Sequence, residues 1–246
     1  MNSLKARIGA GERLLGALLR VPSEELVEMV AVSGFDFVLL DSEHGPADVS
    51  ELRRHLVLAE THRVPVLVRV GGHEPALVLR VLDAGADGVV APHIDTAEQA
   101  ADLVASAHYP PLGGRGFATY GRAGRFGLVD VEEHRRNAAE HTLVIGMIES
   151  PAGVAAAAAI AGTPGLDGIM VGTADLRAST TSSDPDPATA LASVHRTLAD
   201  LGCARMDIVN SRAQAAASFA DGASLVVYNL TATVMSHLAE LRTARP

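Results

Sequence analysis

The sequence contains no tryptophan, and aromatic residues make up only 3% of its 246 residues. Hydrophobic residues nevertheless make up 48% of the chain, so the core must be built mainly from Ala, Val, Leu and Ile. This composition suits buried parallel strands that are covered by alanine-rich helices. A chain of this length is typical of one α/β barrel, and we predict a single domain over residues 1–246.

Cysteine is also nearly absent. The single Cys203 excludes an internal disulfide and cannot by itself form a thiolate zinc site. No apolar run is long enough to span a bilayer. Lys5, Arg7 and Glu12 interrupt the N-terminal segment where a signal peptide would need an apolar stretch. We therefore expect a cytoplasmic protein with no membrane partner.

No basic patch stands out in a chain whose net charge is −9, which argues against a nucleic-acid partner. Neither GxGxxG after the first strand nor GxxxxGK[ST] occurs, so neither a Rossmann site nor a P-loop is indicated. An acidic chain still binds an anionic substrate where a metal or arginines supply local positive charge.

Short apolar runs, turns and amphipathic stretches alternate along the whole chain. We predict eight strands: Leu14–Leu19, Phe35–Leu40, Val66–Val70, Gly88–Ala91, Leu143–Ile148, Gly168–Val171, Ala204–Val209 and Ser224–Val227. We predict nine helices: Ser23–Val32, Val49–Glu60, Pro75–Leu82, Thr96–Ala107, Val131–Glu140, Pro151–Ala161, Pro187–Leu201, Arg212–Ala220 and Thr231–Leu241. This alternation indicates a parallel α/β sheet, and eight strands favour a closed (β/α)8 TIM barrel over an open sheet.

Two segments break the alternation, and the shorter one, Thr180–Pro187, is a connector. Tyr109–Gly127 is a long insertion rich in Gly and Arg after the fourth βα unit. Long loops in compact domains are often functional. Its Arg115, Arg122 and Arg125 could bind an anion, serve a subunit contact or only solvate the loop.

Polar residues follow most of the predicted strands, at the end where a βα barrel forms its active site. We expect these residues to converge on one mouth: Asp41, Glu43, His44, Arg69, Glu149, Asp175, Asn210 and Asn229. His93, which follows the fourth strand, could also reach this mouth.

Glu149 and Asp175 could form a carboxylate metal site. Two hard oxygen ligands with open positions suit Mg²⁺ or Mn²⁺ better than zinc. An α-keto acid could complete the coordination, and the metal would then act as a Lewis acid on the keto oxygen. Each carboxylate also has a structural interpretation, Glu149 as an acid at a helix N-terminus and Asp175 as an N-cap or turn residue.

His44 lies beside Asp41 and Glu43 and is a candidate general base, although an ordinary surface turn would also accommodate it. Arg69 ends an apolar strand. A cation there indicates a clamp on the substrate, or an ion pair with Asp41 or Asp83, and the two roles are compatible.

Small residues precede Asp175. Gly172, Thr173 and Ala174 would let backbone N–H groups approach a substrate carboxylate. On its own this pattern is a weak signal.

Several motifs in order resemble the HpcH/HpaI aldolases, which are metal-dependent class II pyruvate aldolases acting on 4-hydroxy-2-oxo acids and 2-keto-3-deoxy sugar acids. They are GFDFVLLDSEHGP (34–46), VPVLVRV (64–70), VLDAGADGVVAPHIDTAEQA (81–100), YPPLGGRGF (109–117), MIES (147–150) and DGIMVGTADL (167–176). The resemblance runs from about Leu14 to Leu176. It implies a barrel of the phosphoenolpyruvate/pyruvate-domain type, assembled as a homo-oligomer (a trimer or hexamer). It also implies Mg²⁺, Mn²⁺ or Co²⁺ as cofactor, with pyruvate and an aldehyde as small-molecule partners.

The resemblance assigns roles to individual residues. Glu149 and Asp175 correspond to the metal ligands, and Arg69 to the arginine that holds the pyruvate enolate. His44 corresponds to the catalytic histidine, oriented by Asp83 from this or a neighbouring subunit, and Asp41 belongs to the same catalytic set. Gly172, Thr173 and Ala174 correspond to the segment whose backbone contacts the pyruvate carboxylate.

The last third of the chain departs from the family pattern. Thr173 stands where the family usually has Pro, and Tyr228-Asn229 stands where a Gly-rich stretch usually follows the eighth strand. We predict an aldolase that forms or cleaves a 4-hydroxy-2-oxo acid through a metal-bound pyruvate enolate, with an unusual aldehyde acceptor. The alternatives are an oxaloacetate-type decarboxylase, an acyl-CoA lyase of the same superfamily, or a non-catalytic barrel.

Overall fold

The computed structural model describes residues 3–21, 23–45, 48–72 and 74–244, so Pro46 of the first motif lies outside the described residues. Its strands form a closed parallel barrel in chain order, with β8 paired to β1. The predicted (β/α)8 barrel is therefore confirmed. The strands are β1 (Leu14–Leu19), β2 (Phe37–Asp41), β3 (Val66–Arg69), β4 (Gly88–Ala91), β5 (Leu143–Ile148), β6 (Gly168–Val171), β7 (Ala204–Val209) and β8 (Leu225–Asn229).

Five strands have the predicted bounds, and the other three differ at their ends. β2 begins two residues later than predicted. Asp36 precedes it, and its side-chain Oδ2 accepts a hydrogen bond from Leu15 N–H while its own N–H donates to the Leu15 carbonyl. The β1–β2 register starts one residue later, at Phe37. β8 ends two residues later, because Tyr228 and Asn229 remain in register with Ala17 and Leu18 of β1.

Most of the helices cover the outside of the barrel. The helices are α1 (Leu4–Gly9), α2 (Glu24–Val32), α3 (Val49–Thr61), α4 (Pro75–Asp83), α5 (Ala97–Ala107), α6 (Val131–His141), α7 (Pro151–Ala155), α8 (Ala157–Ala161), α9 (Thr173–Ser179), α10 (Pro187–Leu201), α11 (Arg212–Ala220) and α12 (Leu230–Arg242). The predicted Pro151–Ala161 helix is divided at Ala156, whose φ of −93° and ψ of 2° leave the helical region. No helix within the described ranges is both long and apolar enough to cross a membrane.

Two helices, α1 and α9, were not predicted. Both are short, six and seven residues respectively. The N-cap Ser3 accepts a hydrogen bond from Ala6 N, and Leu4 is buried among the interior residues of the barrel. Short helices give little periodic signal, and α1 depends on this burial against the barrel.

Strand alternation separates two layers of core. Leu18, Leu39, Leu67, Met147 and Val227 belong to the cluster that fills the barrel interior. The residues between them on the strands belong mainly to the larger cluster under the helices. Because successive side chains on a strand point to opposite faces, the residue two positions beyond each interior residue also points inward.

Candidate active site

This alternation brings polar side chains to the mouth, which is the face formed by the carboxyl ends of the strands. Two positions after the five interior residues stand Arg20, Asp41, Arg69, Glu149 and Asn229. Four of them were expected there, and Arg20 was missed. Arg20 lies two residues after the interior residue Leu18, so the alternation of side chains along β1 would have predicted its position.

Asp41 is the centre of an ion-pair network at the mouth. It is 2% exposed and accepts hydrogen bonds from Arg69 Nε at 3.0 Å and Arg69 Nη2 at 2.5 Å. Arg20 Nε donates to its Oδ2 at 2.9 Å, and Arg20 Nη1 donates to Asn229 Oδ1 at 3.0 Å. Burial opposes ionisation, but the Arg69 hydrogen bonds and charge keep the pKa of Asp41 below its ordinary value.

A second cluster joins Glu43, His93 and Glu149, whose potential ligand atoms all lie within 4.8 Å of one another. The main-chain N–H of His93 donates to Glu149 Oε1 at 2.7 Å, and its ring Nδ1 lies 3.0 Å from the same oxygen. His93 Nε2 lies 3.8 Å from Glu43 Oε1. These residues were expected near the mouth, but neither Glu43 nor His93 was predicted to bind a metal.

Glu149 occupies a confined and electrostatically unfavourable place. Burial raises the pKa of its carboxyl group, and the charges of Glu43 and Asp175 raise it further against the opposing effect of His93. A Cβ on Gly172 would collide with the Glu149 carboxylate, so the absence of a side chain at residue 172 makes room for it.

These residues fit a divalent cation. Glu43 Oε2 is buried and lies 3.2 Å from Arg69 Nε, yet it receives no hydrogen bond because the single Nε proton is donated to Asp41. Glu43 and Glu149 are neighbouring carboxylates, and Asp175 is close enough to add its negative charge. This concentration of negative charge around an unsatisfied oxygen favours a bound cation. A divalent metal held by these groups would supply that positive charge.

The other predicted site residues are placed less centrally. Asp175 is exposed in the first turn of α9, close enough to act on the Glu149 charge but outside the 4.8 Å cluster. The side chain of His44 is 54% exposed, with Nε2 3.8 Å from Glu43 Oε2. Gly172 precedes α9, and Thr173 and Ala174 form its first residues.

Asp83 does not reach His44 within this chain. It is the last residue of α4, a helix that returns the chain from the mouth to the opposite end of the barrel. There its Oδ1 accepts a hydrogen bond from Arg115 Nη2 at 2.6 Å. Arg122 of the same insertion pairs with Glu60, so two insertion arginines contact carboxylates of their own chain.

The model of the HpcH/HpaI aldolase/citrate lyase family matches residues 17–235. A 5-keto-4-deoxy-D-glucarate aldolase of Salmonella paratyphi A is 38% identical over 72% of this chain and 68% of its own length. A pyruvate aldolase of Rhizobium etli is 35% identical over 73% of this chain and 70% of its own.

Solved structures agree with this assignment. A HpcH/HpaI aldolase/citrate lyase family protein from Burkholderia cenocepacia superposes with a TM-score of 0.91 at 32% identity, covering 100% of both chains. The citrate synthase SbnG superposes with a TM-score of 0.87 at 28% identity, covering 99% of this chain and 97% of its own. The predicted resemblance is confirmed, and the chain belongs to the HpcH/HpaI aldolase/citrate lyase family.

Proposed function

We propose that the protein is a class II pyruvate aldolase that makes or breaks the C3–C4 bond of a 4-hydroxy-2-oxo acid. The observation that carries this proposal is the buried Arg69, held by Asp41 next to the Glu43–His93–Glu149 cluster. An anchored cation beside a carboxylate metal site is suited to a substrate whose keto oxygen becomes an enolate. The identities of 33–38% to named aldolases support the same activity.

Glu149 and Asp175 would hold the divalent metal, Mg²⁺, Mn²⁺ or Co²⁺, with Glu43 beside them. When bound, the metal supplies Lewis-acid stabilisation of the negative charge on the keto oxygen. Gly172 leaves room for the Glu149 carboxylate, and the N–H groups of Thr173 and Ala174 are available to a substrate carboxylate at the start of α9.

Arg69 would bind the oxygen on which charge develops. Asp41 engages its Nε and Nη2, so Nη1 is left outside this bidentate pair. A guanidinium fixed in this way needs little reorganisation when the enolate forms, and that is the condition for stabilising a transition state. Asp41 is therefore a positioning residue that acts through Arg69.

His44 would move the proton. In the cleavage direction it accepts the proton of the 4-hydroxyl, the C3–C4 bond breaks, the aldehyde leaves, and the electron pair remains as the pyruvate enolate. Protonation of C3 then gives pyruvate. Because Asp83 lies at the other end of its own barrel, it would orient His44 only from a neighbouring subunit, which requires a homo-oligomer such as a trimer or hexamer.

Exchange of the pyruvate methyl protons in D₂O, followed by NMR, tests this proposal without knowledge of the acceptor aldehyde. We expect exchange in the presence of Mg²⁺, Mn²⁺ or Co²⁺, its loss in Glu149→Gln, and at least about a hundredfold slower rate in His44→Ala. The absence of exchange with every metal would remove pyruvate as the donor.

An acyl-CoA lyase is less well supported by the same structure. Such an enzyme needs free basic residues for the nucleotide phosphates, and the sequence offered the insertion arginines for this purpose. Arg115 and Arg122 contact Asp83 and Glu60 instead. Release of CO₂ from oxaloacetate above the spontaneous rate would distinguish a decarboxylase, the other enzymatic alternative, from the aldolase.

A further inference from the structure

His93 has an uncommon backbone conformation. It follows β4 with a φ of +58°, in the left-handed region that residues other than glycine seldom adopt. In this conformation both its main-chain N–H and its ring Nδ1 approach Glu149 Oε1, at 2.7 Å and 3.0 Å. Backbone conformations of this kind persist where the surrounding structure requires them, often at functional sites.

Packing does not explain where the imidazole lies. The side chain is 64% exposed, so little contact with apolar neighbours holds it. In the part of the chain that the structure describes, the charged groups within 4 Å of the ring nitrogens are the carboxylates of Glu149 and Glu43. One nitrogen faces each carboxylate, with Nε2 3.8 Å from Glu43 Oε1.

We propose that His93 contributes a ring nitrogen to the metal site at Glu149, next to Glu43, and that this ligand strengthens the preference of the site for Co²⁺ over Mg²⁺. The inference deepens the proposed function and rests on it, because the site is the one that would hold the catalytic metal. Imidazole binds first-row transition metals well, whereas Mg²⁺ selects oxygen ligands and retains its water. A site with carboxylates alone would discriminate less between the two metals.

The nitrogen ligand has a direct spectroscopic test. The 246-residue protein is stripped of metal, loaded with Mn²⁺ and examined by pulsed EPR for modulation from a coordinated ¹⁴N nucleus. We expect this signal in the wild type and its loss in His93→Asn. Asparagine is the chosen replacement because it tolerates positive φ and removes the imidazole with the least backbone strain.

His62→Asn is the matched control. His62 follows α3 and pairs with Glu28 at 3.0 Å, so the control also removes a histidine from a carboxylate. It should leave the nitrogen signal unchanged. Persistence of the signal in His93→Asn would assign it to another histidine and overturn the inference.

Calorimetric titration of the metal-free protein measures the predicted preference. We expect His93→Asn to weaken Co²⁺ binding by about tenfold or more, because it removes a nitrogen donor, while Mg²⁺ binding changes by less than about threefold. Equal weakening of both metals would contradict the proposed role of the ring nitrogen.

The inference and the proposed function fail in different ways. If Mn²⁺ binds and Glu149→Gln abolishes binding, but no nitrogen signal is present, His93 is not a ligand and the aldolase proposal stands. If no divalent metal binds to the wild type, both are overturned.

Discussion

Arg69 and Asp41 are paired residues on neighbouring strands and form a bidentate ion pair at the barrel mouth. The side chain of Arg69 is 4% exposed and that of Asp41 is fully buried. A buried charge of this kind depends on its partner, because water cannot replace the partner when it is removed. The position of Arg69 at the candidate active site therefore depends on the charge of Asp41.

Replacing Asp41 by Asn should destabilise the fold markedly. Among the described residues, Glu43 would be the one carboxylate left within 4 Å of Arg69, at 3.2 Å. We expect a loss on the order of 3 kcal/mol in the free energy of unfolding measured in urea. Glu12→Gln is the control, because Glu12 pairs with Arg7 at the surface and its loss should cost less than about 1 kcal/mol. Equal effects of the two substitutions would show that burial does not matter here.

Gly172→Ala should weaken metal binding. The added Cβ would displace the Glu149 carboxylate, and we expect about a tenfold or larger loss of Mn²⁺ affinity by titration, as for other changes in the surroundings of a metal ligand. A Cβ on Gly114 meets nothing within 4 Å, so Gly114→Ala is the matched control and should bind normally. Unchanged affinity in Gly172→Ala would place the metal away from Glu149.

His108 makes stability depend on pH. Burial, followed by the charges of Lys5 and Arg115, lowers the pKa of this histidine to about 4, and neither ring nitrogen has a hydrogen-bond partner among the described residues. The unfolded chain binds its proton near pH 6.5, so the stability linked to His108 is lost as the pH falls from about 6.5 to about 4. The total loss is about 3 kcal/mol, from about 1.4 kcal/mol for each pH unit.

The measurement is urea unfolding at several pH values between 4 and 7. His108→Gln should show a shallower decrease in stability than the wild type, because the substituted side chain does not titrate. The exposed pair of His62 with Glu28 provides the comparison, and His62→Gln should retain the steep decrease. Parallel curves for wild type and His108→Gln would contradict the assignment.

Mixed oligomers test whether Asp83 acts across a subunit contact. His44→Ala and Asp83→Ala proteins are each expected to be nearly inactive in the exchange assay. If the two residues meet between subunits, hybrids formed by unfolding and refolding the mixture contain some intact sites and regain activity. His44→Ala mixed with Glu149→Gln should regain none, because both residues lie at the mouth of one chain. No recovery in the first mixture would exclude the intersubunit role.

The strands were predictable because a parallel barrel buries both faces of each strand. Runs such as Leu143–Ile148 and Gly168–Val171 are continuous and apolar, and their bounds agree with the structure. The short helices α1 and α9 were not predictable in this way. Their six and seven residues are too few for a clear amphipathic period, and α1 depends on burial of Leu4 against the barrel.

The site was predictable in part. Asp41, Arg69 and Glu149 were expected at the mouth because each ends or follows an apolar strand. The assembly of Glu43 and His93 with Glu149 into one possible metal-binding cluster was not predicted, because residues separated by fifty or more positions meet only when the barrel closes. The left-handed backbone of His93, which turns its N–H and ring toward Glu149, leaves no pattern in the sequence.

The sequence by itself determined the alternation of strands and helices, the barrel and the end of the barrel that carries polar side chains. Hydrophobic periodicity is a local property, and the family motifs are contiguous. The tertiary structure decided which polar groups are partners: Arg69 with Asp41, His93 with Glu149 and Asp83 with Arg115. Hydrogen bonds and ion pairs need contact within about 3 to 4 Å, and strand register together with loop conformation creates that contact.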